Sequence, residues 1–130
     1  MTRGTDKAIR NQLQAILDAT RDLVSEVGIP ETPEELQDGS RMRQLAFCEC
    51  IRRTGEAVAG LDAIDPTWLS AHFADAPWRD IKATRNRLTH RYWTIDYVIL
   101  YDIATIHLPR VTAPVARFLG EADPYADVRG

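Results

Sequence analysis

The residues best suited to chemistry lie in a short basic segment between Arg79 and Arg91. This segment holds five Lys or Arg residues, His90 and a single acid, Asp80, which gives it a local charge of +4. The whole chain carries −3 at pH 7, so the remaining residues sum to −7. A basic segment inside an acidic chain indicates a localised site for an anion, since a diffuse electrostatic attraction is not available.

Two residues of this segment have the properties needed to cleave a phosphodiester without a metal ion. Arg85 is a permanent cation whose planar guanidinium suits a phosphate. His90 titrates near neutral pH and can either accept or donate a proton. An arginine and a histidine at a helix end can instead serve the polar rim of a helical bundle or bind a carboxylate across a dimer. The pair alone does not decide between these roles.

Chain length and composition indicate one globular domain, which we expect to span residues 1–120, followed by a flexible tail at 121–130. The chain has 130 residues, 45% of them hydrophobic and 27% charged, as in ordinary globular proteins. No apolar run approaches the roughly 20 residues that span a bilayer, and no signal-peptide core is present at the N-terminus. We therefore expect a cytoplasmic protein without membrane partners.

The cysteines favour neither a disulfide nor a metal site. Cys48 and Cys50 are two residues apart, so on a helix they point about 200° apart and cannot bridge each other. Two cysteines without further Cys or a nearby His also make a poor zinc site. We expect reduced structural thiols, no metal and no cofactor.

Apolar residues repeat at helical spacing in four long segments. The first is predicted at 6–27, capped by Thr5 and ended by Gly28, and the second at about 40–60. The third begins at Pro77. The fourth is capped by Thr94 and runs through Leu119 with a kink near Pro109. With a short helix at 66–73 and a single turn after Thr32, this pattern predicts an all-α, antiparallel four-helix bundle with an extra short helix and a kinked last helix.

The apolar stripes identify the residues expected in the core. In the first helix they are Ile9, Leu13, Ile16, Leu17, Thr20, Leu23 and Val24. In the second they are Met42, Leu45, Ala46, Phe47, Cys48, Ile51, Thr54, Ala57 and Val58, and the pattern breaks from Leu61. In the third they are Trp78, Ile81, Thr84 and Leu88. In the last they are Ile95, Val98, Ile99, Leu100, Tyr101, Ile103, Ile106, Val111, Val115, Phe118 and Leu119.

Several other chemically capable residues have a structural interpretation. Trp68, Leu69 and Phe73 are expected to cap one end of the bundle rather than to stack on bases. His72 and His107 lack a partner at ligand spacing, so we expect them to be structural or exposed. Four arginines of the second helix form either a solvated face or part of an RNA or partner surface. These are Arg41, Arg43, Arg52 and Arg53.

The spacing of Arg85 and His90 raises a geometric difficulty. Five residues of an α-helix rotate by about 140°, so an uninterrupted helix cannot direct both side chains at one phosphate. Either the helix ends near Thr89, or the site is completed by the same segment of a second subunit. The second possibility predicts a homodimer whose symmetry axis passes near this helix.

The same segment resembles a known family. Arg85-x4-His90-x-Tyr92 resembles the Arg-x4-His-x-Tyr signature of the HepT toxins, which belong to the HEPN superfamily of helical ribonucleases. The similarity extends over roughly residues 5 to 120. It includes the strings 77–81 and 85–90, Ile95-Asp96, Leu108-Pro109 and an upstream Gly55-Glu56-Ala57.

This resemblance implies an activity and a set of residue roles. It implies a metal-independent endoribonuclease, acting on tRNA or another cellular RNA, as the toxin of a toxin–antitoxin pair. Arg85 would hold the scissile phosphate and His90 would act as acid or base, with Asn86, Arg87 and Arg91 supporting substrate binding. Tyr92 would accept AMP from an antitoxin similar to the nucleotidyltransferase MntA. Arg91 and Trp93 stand where the family more often has Gly and Phe.

A second hypothesis comes from a different functional class. The chain could be a non-catalytic helical partner of a nucleotidyltransferase that binds nucleotide and cuts nothing. Both hypotheses predict a dimer and a nucleotidyltransferase partner, whereas RNA cleavage in EDTA distinguishes them.

Overall fold

The structure, a computed structural model, describes residues 3–91 and 96–128, with the backbone alone at 89–91, and this part of the chain is helical without strands. Its elements are α1 (Arg3–Arg21) with a π-helical continuation (Asp22–Val27), α2 (Pro33–Gln37), α3 (Arg41–Ile64), α4 (Trp68–His72), α5 (Trp78–Arg91), α6 (Tyr97–Asp102), a second π-helical turn (Ile103–His107) and α7 (Leu108–Leu119). Helix α3 packs against both α1 and α5, and α1 also packs against α7. The predicted all-α bundle is confirmed.

The first long helix buries the stripe predicted for it, except for Val24, which is partly buried. Its core side includes Leu13, Ile16 and Leu17, all fully buried. Helix α1 begins at Arg3, so Thr5 lies inside the helix instead of capping it, and Asp6 occupies the first turn, where a carboxylate is favourable.

Gly28 ends this first helix, as predicted. It has a φ of 82°, which only glycine adopts at little cost. Its N–H donates to the Leu23 carbonyl at 2.9 Å, and so closes the π-helical turn.

Helix α3 begins as predicted and ends later than predicted. Ser40 is its N-cap and accepts a hydrogen bond from the Arg43 N–H at 3.1 Å. The expected break at Leu61 is wrong, because Leu61 is fully buried and continues the apolar stripe to Ile64. The helix stops at Asp65, whose φ of −149° is the extended backbone that a following proline favours.

The last long helix has a different cap from the one predicted. Asp96 precedes α6, and its carboxylate accepts the Val98 N–H at 2.8 Å, so Asp96 is the N-cap of this helix. The predicted cap, Thr94, and the stripe residue Ile95 lie outside the described residues.

The interruption predicted near Pro109 takes the form of the π-helical turn Ile103–His107. Proline lacks an N–H and its ring presses on the carbonyl four residues earlier, so a widened turn ahead of it accommodates both effects. Helix α7 then continues as predicted, with Val111 and Val115 fully buried.

Two of the predicted stripes are only partly buried. Met42 is 80% exposed and Leu45 is also exposed, so the core contact of α3 starts at Phe47. In the last helix, Leu100, Ile103 and Ala104 face the core, whereas four other predicted core residues are exposed. These are Val98, Ile99, Ile106 and Phe118. The sequence could not separate the two sides, because this helix is apolar nearly all round.

The short helix α4 closes one end of the bundle, as predicted. Trp68 and Leu69 are buried, and the Trp68 ring meets Phe73 and Phe118 edge to face. His72 stacks on Trp68 with ring centroids 3.9 Å apart, and its Nδ1 lies 2.9 Å from the Trp68 carbonyl oxygen. These contacts give His72 the structural role expected for it.

Cys48 and Cys50 are buried free thiols. Burial raises the pKa of Cys48 to about 11 and also raises the pKa of Cys50. Thiols held in the protonated form are poor nucleophiles, so a structural role agrees with their environment.

The segment after Gly120 differs from the frayed tail that the sequence predicts. Tyr125 is only 1% exposed and belongs to the hydrophobic core cluster. Its burial ties this part of the chain to the bundle, because a buried aromatic ring contributes substantially to core packing. None of the described helices is long and apolar enough to cross a lipid bilayer.

Candidate active site

Helix α5 carries the basic segment and turns one apolar side toward the bundle. Its buried residues are Trp78, Ile81, Thr84 and Leu88, as predicted. The Trp78 indole N–H donates to the Phe73 carbonyl and the Thr84 hydroxyl donates to the Asp80 carbonyl, each at 2.9 Å. These contacts fix the rotation of α5 about its axis, and that rotation directs Arg85 toward α3.

Arg85 lies against a glycine of α3. A Cβ atom on Gly55 would lie 2.2 Å from the Arg85 Cβ and 3.3 Å from its Cα, so only glycine permits this approach of the two helices. The next residue, Glu56, accepts a hydrogen bond from Arg85 Nε at 3.0 Å. Arg85 is thus held by α3 both at its root and at its charged head, while 31% of its side chain stays exposed.

Asn86 binds the same guanidinium. Its side-chain oxygen accepts a hydrogen bond from Arg85 Nη1 at 3.0 Å. Asn86 therefore adjoins the arginine that is expected to hold the phosphate, and its role in substrate binding stays a prediction.

The basic segment is not a uniform cationic surface. Lys82 forms a salt bridge with Asp62 of α3, in parallel with the Arg85–Glu56 pair one turn away. Arg87 is exposed and makes no salt bridge with any residue that the structure describes. The charge of the segment is therefore largely matched on the side that faces α3 and unmatched at Arg87.

A groove with a volume of about 160 Å³ runs along the other side of α5, between α5 and the last helix; we refer to it as the α5–α6 groove. His107 lies in it, with Nε2 3.4 Å from the Asp80 carboxylate and Nδ1 3.2 Å from the Asp102 carbonyl oxygen. The residues that line the groove are Asp80, Ala83, Thr84, Arg87, Ile99, Asp102, Ile103 and His107.

The backbone of α5 is helical through Arg91, which argues against the first of the two alternatives, a helix end near Thr89. The buried Thr84 and Leu88 hold this part of the helix on the bundle. His90 comes seven residues, or about two turns, after Ala83, which places its Cα on the groove side of α5. Arg85 faces α3 instead, about 140° around the helix from His90. Within one chain the two motif residues therefore lie on different sides of one helix.

The remaining predicted site residues lie at the end of the described segment. Of His90 and Arg91 the structure describes only the backbone, and Tyr92 lies outside the described residues. Their roles as acid or base, RNA-binding cation and AMP acceptor stay predictions.

Among the residues that the structure describes, three of the four arginines on α3 have a side-chain or backbone partner. Arg52 donates two hydrogen bonds to Glu49, at 2.6 and 2.9 Å, which lower the pKa of that carboxylate. Arg53 pairs with Asp22 at 2.9 Å, and Arg43 donates to the Gly28 carbonyl at 3.2 Å. These contacts support the interpretation of a solvated, internally paired face.

Sequence reasoning named Glu56 only as part of the Gly55-Glu56-Ala57 string, and it missed the pairing of two acids with the basic segment. Glu56 binds Arg85 and Asp62 binds Lys82, both from α3. The available signal for Glu56 was its place after Gly55, because a small residue followed by an acid indicates where another helix can approach closely with a cation. No comparable signal marks Asp62, since acids at this spacing are common on solvated helix faces.

The described residues contain no cluster of three or more His, Cys, Asp or Glu side chains arranged to hold a metal ion. The histidines whose side chains are described, His72 and His107, instead contact carbonyl groups of their own helices.

Comparison with known proteins covers most of the chain. Residues 16–118 match the family model described as Ribonuclease HepT-like. Over 103 residues the chain is 28% identical to “Putative RNase MJ0127” of Methanocaldococcus jannaschii, which covers 79% of this chain and 80% of that protein. “Putative RNase MJ1380” of the same organism is 35% identical over 43 residues, or 33% of this chain and 39% of the relative. No solved structure gives a significant match.

The family match includes both the Arg85–His90 segment and the Gly55–Glu56 segment that contacts it. It spans far more than half of the chain, and it agrees with the all-helical fold and with the resemblance seen in the sequence. The chain belongs to the HepT-like ribonuclease family.

Proposed function

We propose that the chain is a metal-independent endoribonuclease whose active site forms between two copies of the chain. The observation that carries this proposal is the position of Arg85. It is an arginine of the family motif, fixed by α3 and still partly exposed, on a helix that carries His90 on a different side. A guanidinium held in place before the substrate arrives is suited to stabilise phosphate charge.

The proposed reaction is an internal transesterification of RNA. The 2′-hydroxyl attacks the adjacent phosphorus, a new P–O bond forms, and the bond to the 5′-oxygen breaks. His90 of one copy accepts the hydroxyl proton, and His90 of the other protonates the departing 5′-oxygen. Arg85 stabilises the charge on the non-bridging oxygens. The products are a 2′,3′-cyclic phosphate and a 5′-hydroxyl, so DNA is not a substrate.

The surface beside the α5–α6 groove supports pairing of two copies. Ile99 lines the groove, and Val98 and Ile106 lie within about one helical turn of the groove residues Asp102 and Ile103. These three apolar side chains are exposed in the isolated chain, and apolar clusters of this kind are typical of protein interfaces. A second copy docked here would meet the side of α5 that carries His90.

We further propose that the chain is the toxin of a toxin–antitoxin pair, acting on tRNA or another cellular RNA. Its partner would be a nucleotidyltransferase that transfers AMP to Tyr92. Tyr92 follows His90 by two residues, so an added phosphate there would place negative charge beside the proposed catalytic groups and repel RNA. The support is the family membership together with the Arg-x4-His-x-Tyr spacing.

The first test is cleavage by purified protein in EDTA. We expect wild type to cut a single-stranded RNA oligonucleotide, and Arg85→Ala and His90→Ala to be slower by about 10²–10⁴-fold. A matched DNA oligonucleotide should remain intact. If wild type leaves RNA intact but binds a mononucleotide in a manner that depends on Arg85, the non-catalytic partner hypothesis replaces this one.

A mixing experiment tests whether the site is shared. Wild-type and His90→Ala chains are unfolded together and refolded as an equal mixture. The proposed reaction uses His90 of both copies, so only the quarter of dimers with two wild-type chains should cleave RNA, and about a quarter of the activity of wild type refolded at the same total concentration should remain. Half of that activity would mean that each chain carries a complete site.

The antitoxin role is tested with the nucleotidyltransferase and ATP. We expect wild type to gain the mass of one AMP and to lose cleavage, whereas Tyr92→Phe should gain no mass and stay active. Modification of Tyr92→Phe at another tyrosine would contradict this assignment.

A further inference from the structure

We infer that Gly55 and Glu56 form a positioning site for Arg85, in which Glu56 sets the orientation of the guanidinium for cleavage. This inference rests on the proposed function, because it assigns a role through Arg85. Glu56 is distant from the motif residues in the sequence. It contacts Arg85 only because α3 and α5 pack together. It acts through Arg85 and has no assigned contact with substrate.

The contact fixes Arg85 at two separated points. Gly55 lets the Arg85 Cβ approach to a distance that no side chain on α3 would tolerate, which fixes the root of the side chain. Glu56 accepts the Nε–H at 3.0 Å, which fixes the plane of the guanidinium about its last flexible bond. A lysine could not be held in this way, because an ammonium group has no planar fork with a separate Nε–H.

Glu56 is itself held on the α3 surface. Its Oε1 atom lies 3.6 Å from Arg52 Nη1, and Arg52 is anchored by two hydrogen bonds to Glu49. The carboxylate therefore lies between two guanidinium groups, one on its own helix and one on α5. Arg52 therefore restrains Glu56, and Glu56 in turn restrains Arg85.

Stability alone does not account for this pair. Glu56 is 41% exposed and Arg85 is 31% exposed, and ion pairs with that much solvent contact contribute little to folding. The orientation of Arg85 can matter more for the reaction rate than for folding, since a displacement of about 1 Å in a catalytic group can cost on the order of 10²-fold in rate. The expected consequence of losing Glu56 is therefore a slower reaction in a folded protein.

The kinetic test compares Glu56→Gln and Glu56→Ala with Asp22→Asn. Asp22 is the matched control, because it also pairs with an arginine of α3, Arg53, in a partly exposed ion pair, and no described contact joins it to Glu56 or Arg85. We expect both Glu56 variants to lower kcat by about 10- to 100-fold, with KM changed by less than about threefold. Asp22→Asn should keep the wild-type kcat, and thermal unfolding should show all three variants folded.

A double-variant cycle separates positioning from a general structural effect. If Glu56 acts only through Arg85, Glu56→Ala should cost nothing further in an Arg85→Ala background. Losses that multiply in the double variant would overturn the inference, as would a wild-type kcat in Glu56→Gln and Glu56→Ala.

A second measurement does not depend on activity. The Arg85 Nε–H resonance, assigned by its disappearance in Arg85→Lys, should exchange slowly with water in wild type and in Asp22→Asn, and faster in Glu56→Ala. Unchanged exchange in Glu56→Ala would overturn the inference. If wild type cuts no RNA, the proposed function fails, and this measurement decides by itself whether Glu56 orients Arg85.

Discussion

The two sides of helix α5 are built differently. On the side that faces α3, Lys82 and Arg85 each meet an acid, and Gly55 allows the helices to approach closely. On the groove side, Arg87 is exposed, and the neighbouring surface of the last helix carries exposed isoleucines. The first side is completed within the chain, whereas the second has the composition of a surface that meets another molecule. A basic sequence segment can thus contain one internally balanced side and one open side.

The largest effect should come from a charge placed on the open side. In the proposed dimer, Ile106→Lys would bury an ammonium among apolar side chains, so the dimer Kd should rise by about 10²-fold or more and cleavage should fall with it. Sedimentation velocity and RNA cleavage at one protein concentration measure both. Val128→Lys is the matched control, because Val128 and Ile106 are both 54% exposed. A dimeric, active Ile106→Lys variant would show that this surface is not the interface.

The next largest effect should come from the side completed within the chain. Gly55→Ala forces a Cβ into the Arg85 side chain, which should cost about 1–3 kcal/mol of unfolding free energy. Cleavage should fall by about 10- to 100-fold, because Arg85 moves with the helix. Urea denaturation and initial rates measure the two effects.

Gly60→Ala is the control for this change. A Cβ on Gly60 meets only the end of the flexible Gln12 side chain, at 3.0 Å or more, and that side chain can move away. We therefore expect wild-type cleavage and a smaller loss of stability. Equal effects at both glycines would mean that the contact with Arg85 is not special.

A smaller effect, on RNA binding, should distinguish Lys82, which pairs with an acid, from Arg87, which has no salt bridge among the described residues. Arg87→Ala should raise KM for RNA by about 3- to 10-fold and reduce the slope of log affinity against log salt by about one, as expected for a lost phosphate contact. Lys82→Ala should change that slope less, because Lys82 is already paired with Asp62. Binding titrations from low to high salt, with a catalytically inactive chain, provide the measurement. A larger change in slope for Lys82→Ala than for Arg87→Ala would contradict the assignment of the α3 side as the paired side and the groove side as the open side.

The smallest effect is expected at the cysteines, which lie outside both sides. Burial keeps the Cys48 thiol protonated, with a pKa of about 11, so a thiol reagent at pH 8 should not react with native protein. As the pH rises from about 9 to 11, the unfolded chain releases this proton and the folded chain keeps it, so stability should fall over that interval. Rapid labelling of the native protein at pH 8 would contradict the burial of this thiol.

The helices and the motif segment could be read from the sequence because their signals are local. The stripe of α1 and the buried side of α5 follow directly from three-and-four spacing, and Gly28 marks a helix end through its own backbone preference. Asp96 and Leu61 show where local sequence signals do not fix a helix end. The cap was assigned to the wrong residue because two suitable caps occur close together, and the α3 boundary depended on burial against neighbouring helices.

The contacts of the site were less accessible from sequence than its motif. Arg85 and His90 were identified by type and spacing, but Glu56 is 29 positions away from Arg85 and meets it only through helix packing. The exposed side of the last helix was missed for a related reason. Val98, Ile99 and Ile106 are as hydrophobic as their buried neighbours, and only the tertiary structure shows which side is covered.

The π-helical turn Ile103–His107 also affects which side chains of the last helix can be replaced without disturbing the core. A π-helical turn takes up one more residue than an α-helical turn, so it offsets the buried side of α7 from the buried side of α6. A single periodic stripe therefore cannot describe the whole helix, which explains the misplaced Ile106. Substitutions on the outer surface of α6 can accumulate without disturbing Val111 and Val115 beyond the turn. One continuous helix can thus keep its core contact unchanged when side chains on its outward surface are replaced.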